Sequence, residues 1–261
     1  MTLVKNSLSI KGVTGAVSYL KYSGTGLFEE TGFLPQEVSL TLHVNGTELV
    51  TIQCTPVKTN CLVVGFLYFE NIIKGVEDIL LLAVCEDERI AEVKVKNGEL
   101  NLKKTRTLTS GCGGGSVFEA DLRRVESSIT IEANQILSLM KEFNEKTELF
   151  KISGGVHASA LAENTRILFV AEDVGRHNTL DKLMGECLFT GVDPKDKILL
   201  TTGRISSEML QKASKMGVPI VISRHSPTGT AFTMAQEAGI TLICHTTSYR
   251  FSIYTYPERL R

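Results

Sequence analysis

Four short apolar runs in the second half of the chain, each closed by a polar loop that carries a base, constrain the fold most. Ile167–Val170 leads into Glu172-Asp173-Val174-Gly175-Arg176-His177-Asn178, and Ile198–Leu200 into Thr201-Thr202-Gly203-Arg204. Pro219–Ile222 leads into Ser223-Arg224-His225-Ser226-Pro227, and Ile240–Ile243 into Cys244-His245-Thr246-Thr247-Ser248-Tyr249-Arg250. Helical stretches open at Ser206-Ser207-Glu208 and run over Thr230–Ala238, and Phe251–Tyr256 reads as a last strand. Strands alternating with helices predict an α/β domain with a largely parallel sheet and helices on its faces. In open sheets of that kind ligands bind in the crevice at the carboxyl ends of the strands.

Those loops hold Arg176, Arg204, Arg224 and Arg250 together with His177, His225 and His245. His157 follows in Ser153-Gly154-Gly155-Val156-His157, read as a glycine-bearing turn before an Ala-rich helix, which leaves only His43 elsewhere. With a formal net charge of −1, the chain has no global field to attract nucleic acid or an anionic membrane. Bases gathered at one sheet edge therefore point to a local polyanion. Phosphate fits best, because arginine grips it with two parallel hydrogen bonds and helix N-termini add N–H donors. One arginine after a strand is ordinarily a surface ion pair, so the argument rests on four loops agreeing. The histidines show no compact metal-ligand spacing, and Glu172 and Asp173 can equally pair with Arg176. Asn178 and Asp181 sit near a helix start, where capping competes with function, and Ser206-Ser207-Glu208 is an ordinary helix opening.

The first half reads differently. Residues 1–35 are strand and turn. Leu40, Leu42 and Val44 alternate with polar residues up to Asn45-Gly46, and Val50, Ile52 and Cys54 alternate after it, which is a two-residue hairpin. Thr59-Asn60 offers caps to Cys61–Phe69, which is either helix or buried strand. Ile79–Cys85 is a strand, and Ala91–Leu102 alternates around a second Asn97-Gly98 turn. Further on, Thr130 reads as the cap of a helix that buries Ile136, Leu137, Met140 and Phe143. The predicted organisation is a mostly antiparallel β domain over 1–104, a Cys/Gly-rich loop over 105–124 and an α/β domain over 125–261.

That loop contains Leu108-Thr109-Ser110-Gly111-Cys112-Gly113-Gly114-Gly115-Ser116. Cys112 has no apolar run to bury it, and its glycines open the backbone to close approach by a partner. It reads either as a linker that happens to contain a cysteine or as a nucleophilic thiol at the head of a mobile arm. The other five cysteines share no repeated spacing, and none forms a C-x-x-C pair. Core packing is expected for Cys54, Cys61, Cys85 and Cys187, while Cys244 adjoins a polar loop. No apolar run approaches the ~18 residues a membrane span needs, and the N-terminus lacks the build of a signal peptide, so a cytoplasmic protein is expected.

Ser153-Gly-Gly-Val-His-Ala158, Glu172-Asp-Val-Gly-Arg-His-Asn178, Thr202-Gly-Arg-Ile-Ser-Ser-Glu-Met209 and Tyr254-Thr-Tyr-Pro-Glu-Arg259 together resemble the FdhD/NarQ family of formate dehydrogenase accessory proteins. Val44-Asn-Gly46, Thr55-Pro56 and Gly65-Phe-Leu67 resemble its N-terminal half. The resemblance implies a sulfurtransferase that accepts persulfide sulfur from a cysteine desulfurase. It passes that sulfur to the molybdenum of a bis(molybdopterin guanine dinucleotide) cofactor before the cofactor enters formate dehydrogenase. It also implies a three-layer, cytidine-deaminase-like C-terminal domain, a homodimer, Cys112 as the persulfide residue and a cofactor-contacting segment at Cys244–Arg250. Arg176, His177, Arg204, Arg224 and His157 are the expected grip on the cofactor's phosphates.

The chain departs from the family pattern in three places. Gly115 stands where many members carry a second loop cysteine, so a two-cysteine relay is excluded and Cys112 must act alone. Cys244-His-Thr-Thr-Ser-Tyr249 lacks the Arg-Gly-Asp-like run of some relatives. The His-x-Glu and Pro-Cys-x-x-Cys of zinc deaminases are missing, so a shared fold would not bring shared chemistry. The alternative reading is a cofactor-binding escort that moves no sulfur, and Gly115 is the residue that favours it.

Overall fold

The computed structural model describes residues 13–85, 87, 89–96, 106–108 and 122–261. Cys112 and the Asn97-Gly98 turn lie outside the described residues. Strands β1 (Thr14–Ser23) and β2 (Gly26–Pro35) form an antiparallel hairpin that is a sheet of its own. Strands β3 (Val38–Val44) and β4 (Thr47–Cys54) pair through Asn45-Gly46, whose φ values of 52° and 79° are the left-handed geometry that a two-residue hairpin turn requires. Helix α1 (Thr59–Phe69) resolves the ambiguity of that apolar segment in favour of helix. Thr59 and Asn60 lie inside it rather than capping it. Lys58 holds the cap position in left-handed conformation, with Nζ on the Val170 carbonyl (2.9 Å) and on Glu186 (2.6 Å).

Strands β5 (Ile79–Cys85), β6 (Ile90–Val95) and β7 (Arg106–Leu108) complete a sheet of order β5-β6-β3-β4-β7. Hairpin pairs are antiparallel, whereas β3–β6 and β4–β7 are parallel because longer connections bring the chain back alongside. The alternating Leu40, Leu42, Val50, Ile52, Ala91 and Val93 bury one sheet face against Leu62, Val63, Phe66 and Leu67 of α1.

In the second half, α2 (Ala133–Lys146) and α3 (Glu148–Ser153) precede β8 (His157–Glu163) and β9 (Arg166–Asp173). Then follow α4 (Arg176–Thr190), β10 (Ile198–Thr201), α5 (Ser207–Lys215), β11 (Ile220–Ser223), α6 (Gly229–Ala238), β12 (Thr241–Cys244) and β13 (Ser252–Ile253). The sheet order is β13-β12-β11-β10-β8-β9. Leu161, Leu199, Val221 and Leu242 face α4, α5 and α6, whereas Ala160, Ile198, Leu200, Ile222 and Ile243 face Ile136, Leu139, Met140 and Phe143 of α2. The result is three layers.

Three expectations are corrected. The Ala-rich segment after His157 is strand β8, not helix. Its residues from Ala158 to Ala162 are buried on both faces of the sheet, and that packing overrides the helical preference of alanine. The cap of α2 is Glu132, not Thr130, and the Glu132 N–H donates to Gln135 Oε1 at 2.9 Å. The sheet is mixed rather than largely parallel. Parallel pairing holds for β10–β11 and β11–β12, whereas β8 runs antiparallel to both its neighbours and β13 antiparallel to β12.

The two halves meet where α1 crosses α4. A Cβ on Gly65 would run into the Asp181 carbonyl oxygen, and one on Gly185 into that of Cys61. Glycine at both positions lets the helix backbones touch. Among the described residues no helix is long and apolar enough to cross a membrane.

Candidate functional site

The densest polar run, Glu172 to Lys182, divides into a clasp and a rim. The clasp is buried. Asp173 Oδ1 accepts from the Gly175 N–H (2.7 Å) and Asn178 Nδ2 (2.8 Å), and Oδ2 accepts from the Thr55 N–H (3.1 Å). Lys182 Nζ pairs with Asp173 at 2.5 Å and donates to the carbonyls of Thr55 and Glu172, 3.1 Å each, with both charged side chains fully buried. Asn178 Nδ2 also reaches the Gln53 carbonyl (2.8 Å), and Thr55 Oγ1 accepts from the Val174 N–H (3.1 Å). This network fastens the end of β4 to the end of β9. Glu172 accepts from the Leu149 and Phe150 N–H groups that open α3. Burial pushes its carboxyl up, and those hydrogen bonds oppose the shift. Glu172 and Asp173 are thus engaged in architecture.

The rim is the edge where β9, β10, β11 and β12 end. Because β8 is antiparallel to both β9 and β10, those four strands run the same way and β8 begins where they stop. This brings His157, Arg176, His177, Arg204, Arg224, His225 and the His245 loop to one edge. Gly203 marks the close approach: a Cβ there would stand 3.2 Å from Arg176 Cβ and 3.5 Å from His157 Nδ1. His177 Nε2 lies 3.3 Å from Ser206 Oγ and 3.2 Å from Glu208 Oε2. The Arg224 guanidinium sits 5.7 Å from the Phe150 ring centroid.

Electrostatics at this edge favour an anion. Burial pushes the His177 imidazole down to about 3, with Lys212, Arg176 and His157 adding to the effect. His157 is lowered by burial, then by Arg176 and His225, with Arg204 contributing and Asp173 opposing. Both rings are neutral at pH 7 and surrounded by cations.

The segment Cys244–Arg250 is split. Cys244 is wholly buried, its side chain on the Leu242 face of the sheet, and burial pushes its thiol up to about 12. His245 is exposed in left-handed conformation, its ring centroid 6.2 Å from that of Tyr254. Thr246 donates its N–H to the Ser223 carbonyl (3.1 Å), while its buried Oγ1 has no hydrogen-bond partner among the described residues. Thr247 Oγ1 accepts from the Arg250 N–H (3.2 Å), closing a turn that exposes Ser248, Tyr249 and Arg250. Arg250 lies over the Tyr249 ring at 5.7 Å. What this segment turns to solvent is His245, Ser248, Tyr249 and Arg250, two bases, a hydroxyl and an aromatic ring.

The remaining described thiols are free. Burial pushes Cys54 and Cys187 up to about 12 and Cys61 to about 11. Cys85, expected in the core, is instead exposed, because strand alternation at the sheet-edge strand β5 turns it to solvent. Sequence reasoning missed Lys212, which bonds Asp181 at 2.6 Å and helps keep His177 neutral. Its signal was available: it lies four residues after Glu208, on the face that α5 turns to the rim. It also missed Phe150, which only the packing of α3 brings there.

The FdhD/NarQ family model matches residues 35–261. The chain belongs to the FdhD/NarQ family. It is 40% identical over 233 residues to a sulfur carrier protein FdhD of Bacillus subtilis, covering 86% of this chain and 89% of that one. It is 37% identical over 259 residues to the protein of the same name from Bacillus licheniformis, covering 96% and 98%. A crystallised Desulfotalea psychrophila protein, provisionally described as a formate dehydrogenase accessory protein, shares the fold. Its TM-score is 0.77 at 24% identity, covering 95% of this chain and 100% of that one. The FdhD/NarQ match takes in the clasp and the whole rim, and it leaves the β1–β2 hairpin outside.

Proposed function

We propose that this chain is a sulfur carrier in formate dehydrogenase maturation, with Cys112 as the residue that bears the sulfur. Its thiolate attacks the outer sulfur of a cysteine desulfurase persulfide. A new Sγ–S bond forms as the old S–S bond breaks, and the desulfurase cysteine leaves as thiolate. The outer sulfur then goes to the molybdenum of a bis(molybdopterin guanine dinucleotide), a cargo held at the strand-end rim. As the Cys112 S–S bond breaks, its electron pair returns to Sγ. Reduced molybdenum supplies the two electrons that take the zero-valent outer sulfur to a sulfido ligand, the metal rising by two in oxidation state. Arg176, Arg204 and Arg224, with His157 and His177, grip the pyrophosphates. His245, Tyr249 and Arg250 receive the nucleotide end. In this reading the protein is a cytoplasmic sulfurtransferase that works as a homodimer.

The observation that carries the reading is where β7 ends. It runs parallel to β4, with Leu108 opposite Ile52, so the chain leaves β7 toward the end of β4 that Asp173 and Asn178 clasp beside the rim. Cys112 follows four residues later, within ~14 Å of Leu108 by the reach of an extended chain. Four of the five described thiols are held at about 11 to 12 and are protonated at pH 7, and the fifth, Cys85, lies on the opposite edge of that sheet.

The test is to incubate the full chain with a cysteine desulfurase and cysteine, then weigh the peptide that contains Cys112. It should gain one sulfur, and Cys112→Ala should lose dehydrogenase activation while still binding the cofactor. The escort reading, favoured by Gly115, predicts no added sulfur on that peptide and activation surviving in Cys112→Ala.

A further inference from the structure

The end of the molecule opposite the rim holds a cavity of about 430 Å³, a volume within the ordinary range for small-molecule sites. Helices α4 and α5 both begin at the rim and run away from it, α4 for ~22 Å at 1.5 Å per residue. Gly191 and Gly217, both left-handed, close these helices before the chain turns back into β10 and β11. The cavity lies between those turns and the C-terminal end of α1. Tyr68 and Lys74 come to it from the first half of the chain, and Met184, Leu188, Lys195 and Met216 from the second. Small-molecule sites favour such junctions.

Much of the lining is apolar and adaptable. Met184 and Met216 are flexible thioethers that can mould to a guest, and Leu188 and Val192 lie beside them. The charges are mostly positive. Three helices end here, and their carbonyl ends alone would repel an anion. Lys215 counters that: its Nζ donates to the carbonyls of Tyr68 (2.7 Å) and Phe69 (3.0 Å) at the end of α1, and to Asn71 Oδ1 (2.5 Å). Lys74 and Lys195 are placed differently. Both are exposed at the cavity, and neither Nζ has a hydrogen bond or ion pair among the described residues. Asp193 is the single acid of the lining, and its Oδ1 already accepts from the Lys195 N–H (2.9 Å).

We infer that this cavity binds a small amphipathic anion, its apolar body on Met184, Leu188 and Met216 and its acid head at Lys74 and Lys195. A wholly polar anion would leave the thioether wall wet, and a neutral apolar guest would leave both ammonium groups unmatched. Because Lys74 belongs to one half and Lys195 to the other, the head would also bridge the junction. The inference does not depend on the sulfur-carrier reading, whose residues lie at the rim or leave β7 toward it.

The test uses octanoate and the full chain with carbon-13 methionine methyl groups. Octanoate should move the NMR signals of Met184 and Met216, leave those of Met140 and Met234 in place, and raise the Tm at saturation. Octanol should bind at least tenfold more weakly. So should octanoate to the double variant Lys74→Glu with Lys195→Glu, whose exposed positions should leave the circular dichroism unchanged. Inorganic pyrophosphate, the probe of the rim, should not displace octanoate. Still signals at Met184 and Met216 overturn the inference. Octanol that binds as well as octanoate overturns it in favour of a plain apolar hollow, and undiminished binding to the charge variant removes the anionic head. Displacement by pyrophosphate would put octanoate at the rim and overturn it as well.

Discussion

Replacing Lys182 by methionine tests the clasp. Lys182 Nζ is fully buried, pairs with an equally buried Asp173 at 2.5 Å, and donates to two carbonyls at 3.1 Å. Methionine fills much of the same volume but leaves the Asp173 carboxylate in an apolar setting with neutral donors only. Removing one partner of a buried pair typically costs about 3–5 kcal/mol. Total stabilities lie at about 5–15 kcal/mol, so roughly a fifth or more is at stake. Asp173→Asn combined with Lys182→Met removes both charges, and the double variant should recover about 2 kcal/mol relative to additive losses. Urea denaturation followed by circular dichroism supplies all four corners of the cycle. Because Thr55 belongs to the first half and Asp173 to the second, the single variant should also lose single-step unfolding. A cost under about 1 kcal/mol with one cooperative transition retained would refute the reasoning, since it would mean that Asp173 needs no buried cation.

Gly185→Ala forces a methyl group into the Cys61 carbonyl, so it should cost at least the about 1–3 kcal/mol of ordinary overpacking. Calorimetry should register that as a Tm lower by several degrees, and an unchanged Tm would contradict the backbone contact. His177 titrates near 6.5 when unfolded and at about 3 when folded, so the unfolded chain takes up the proton first and stability falls as pH drops below 6.5. By pH 5 the loss is about 2 kcal/mol, and His177→Gln should flatten that part of the pH profile. Inorganic pyrophosphate at the rim should raise the His157 pKa, which Arg176 and His225 now help to lower, and a proton NMR titration reads it directly. Arg204→Ala and Arg224→Ala should weaken the response, and a pKa that stays still would remove the anion from the rim.

The rim was legible because strand-then-base is a local pattern, and four repetitions of it fix an edge once the strands are parallel. Asn45-Gly46 was legible for the same reason, since two residues determine the turn. What escaped notice depends on distant partners. Ala158–Ala162 reads as helix until sheet neighbours bury it on both sides. Glu172 and Asp173 read as possible partners of Arg176 and Asn178 as a helix cap, yet they bond groups of Thr55, Gln53, Leu149 and Phe150, far away in sequence. The glycines at 65 and 185 gave no signal, because nothing near either one announces a helix crossing. Cys85 misled because hydrophobic neighbours suggest a core, whereas an edge strand spends half its side chains on water.

Where α1 and α4 touch main chain to main chain, there is no side-chain cushion to absorb sliding or bending. The clasp and the rim are in that sense cast as one rigid piece, and a methyl group at either glycine would prise the halves apart without touching a single charged group on the rim.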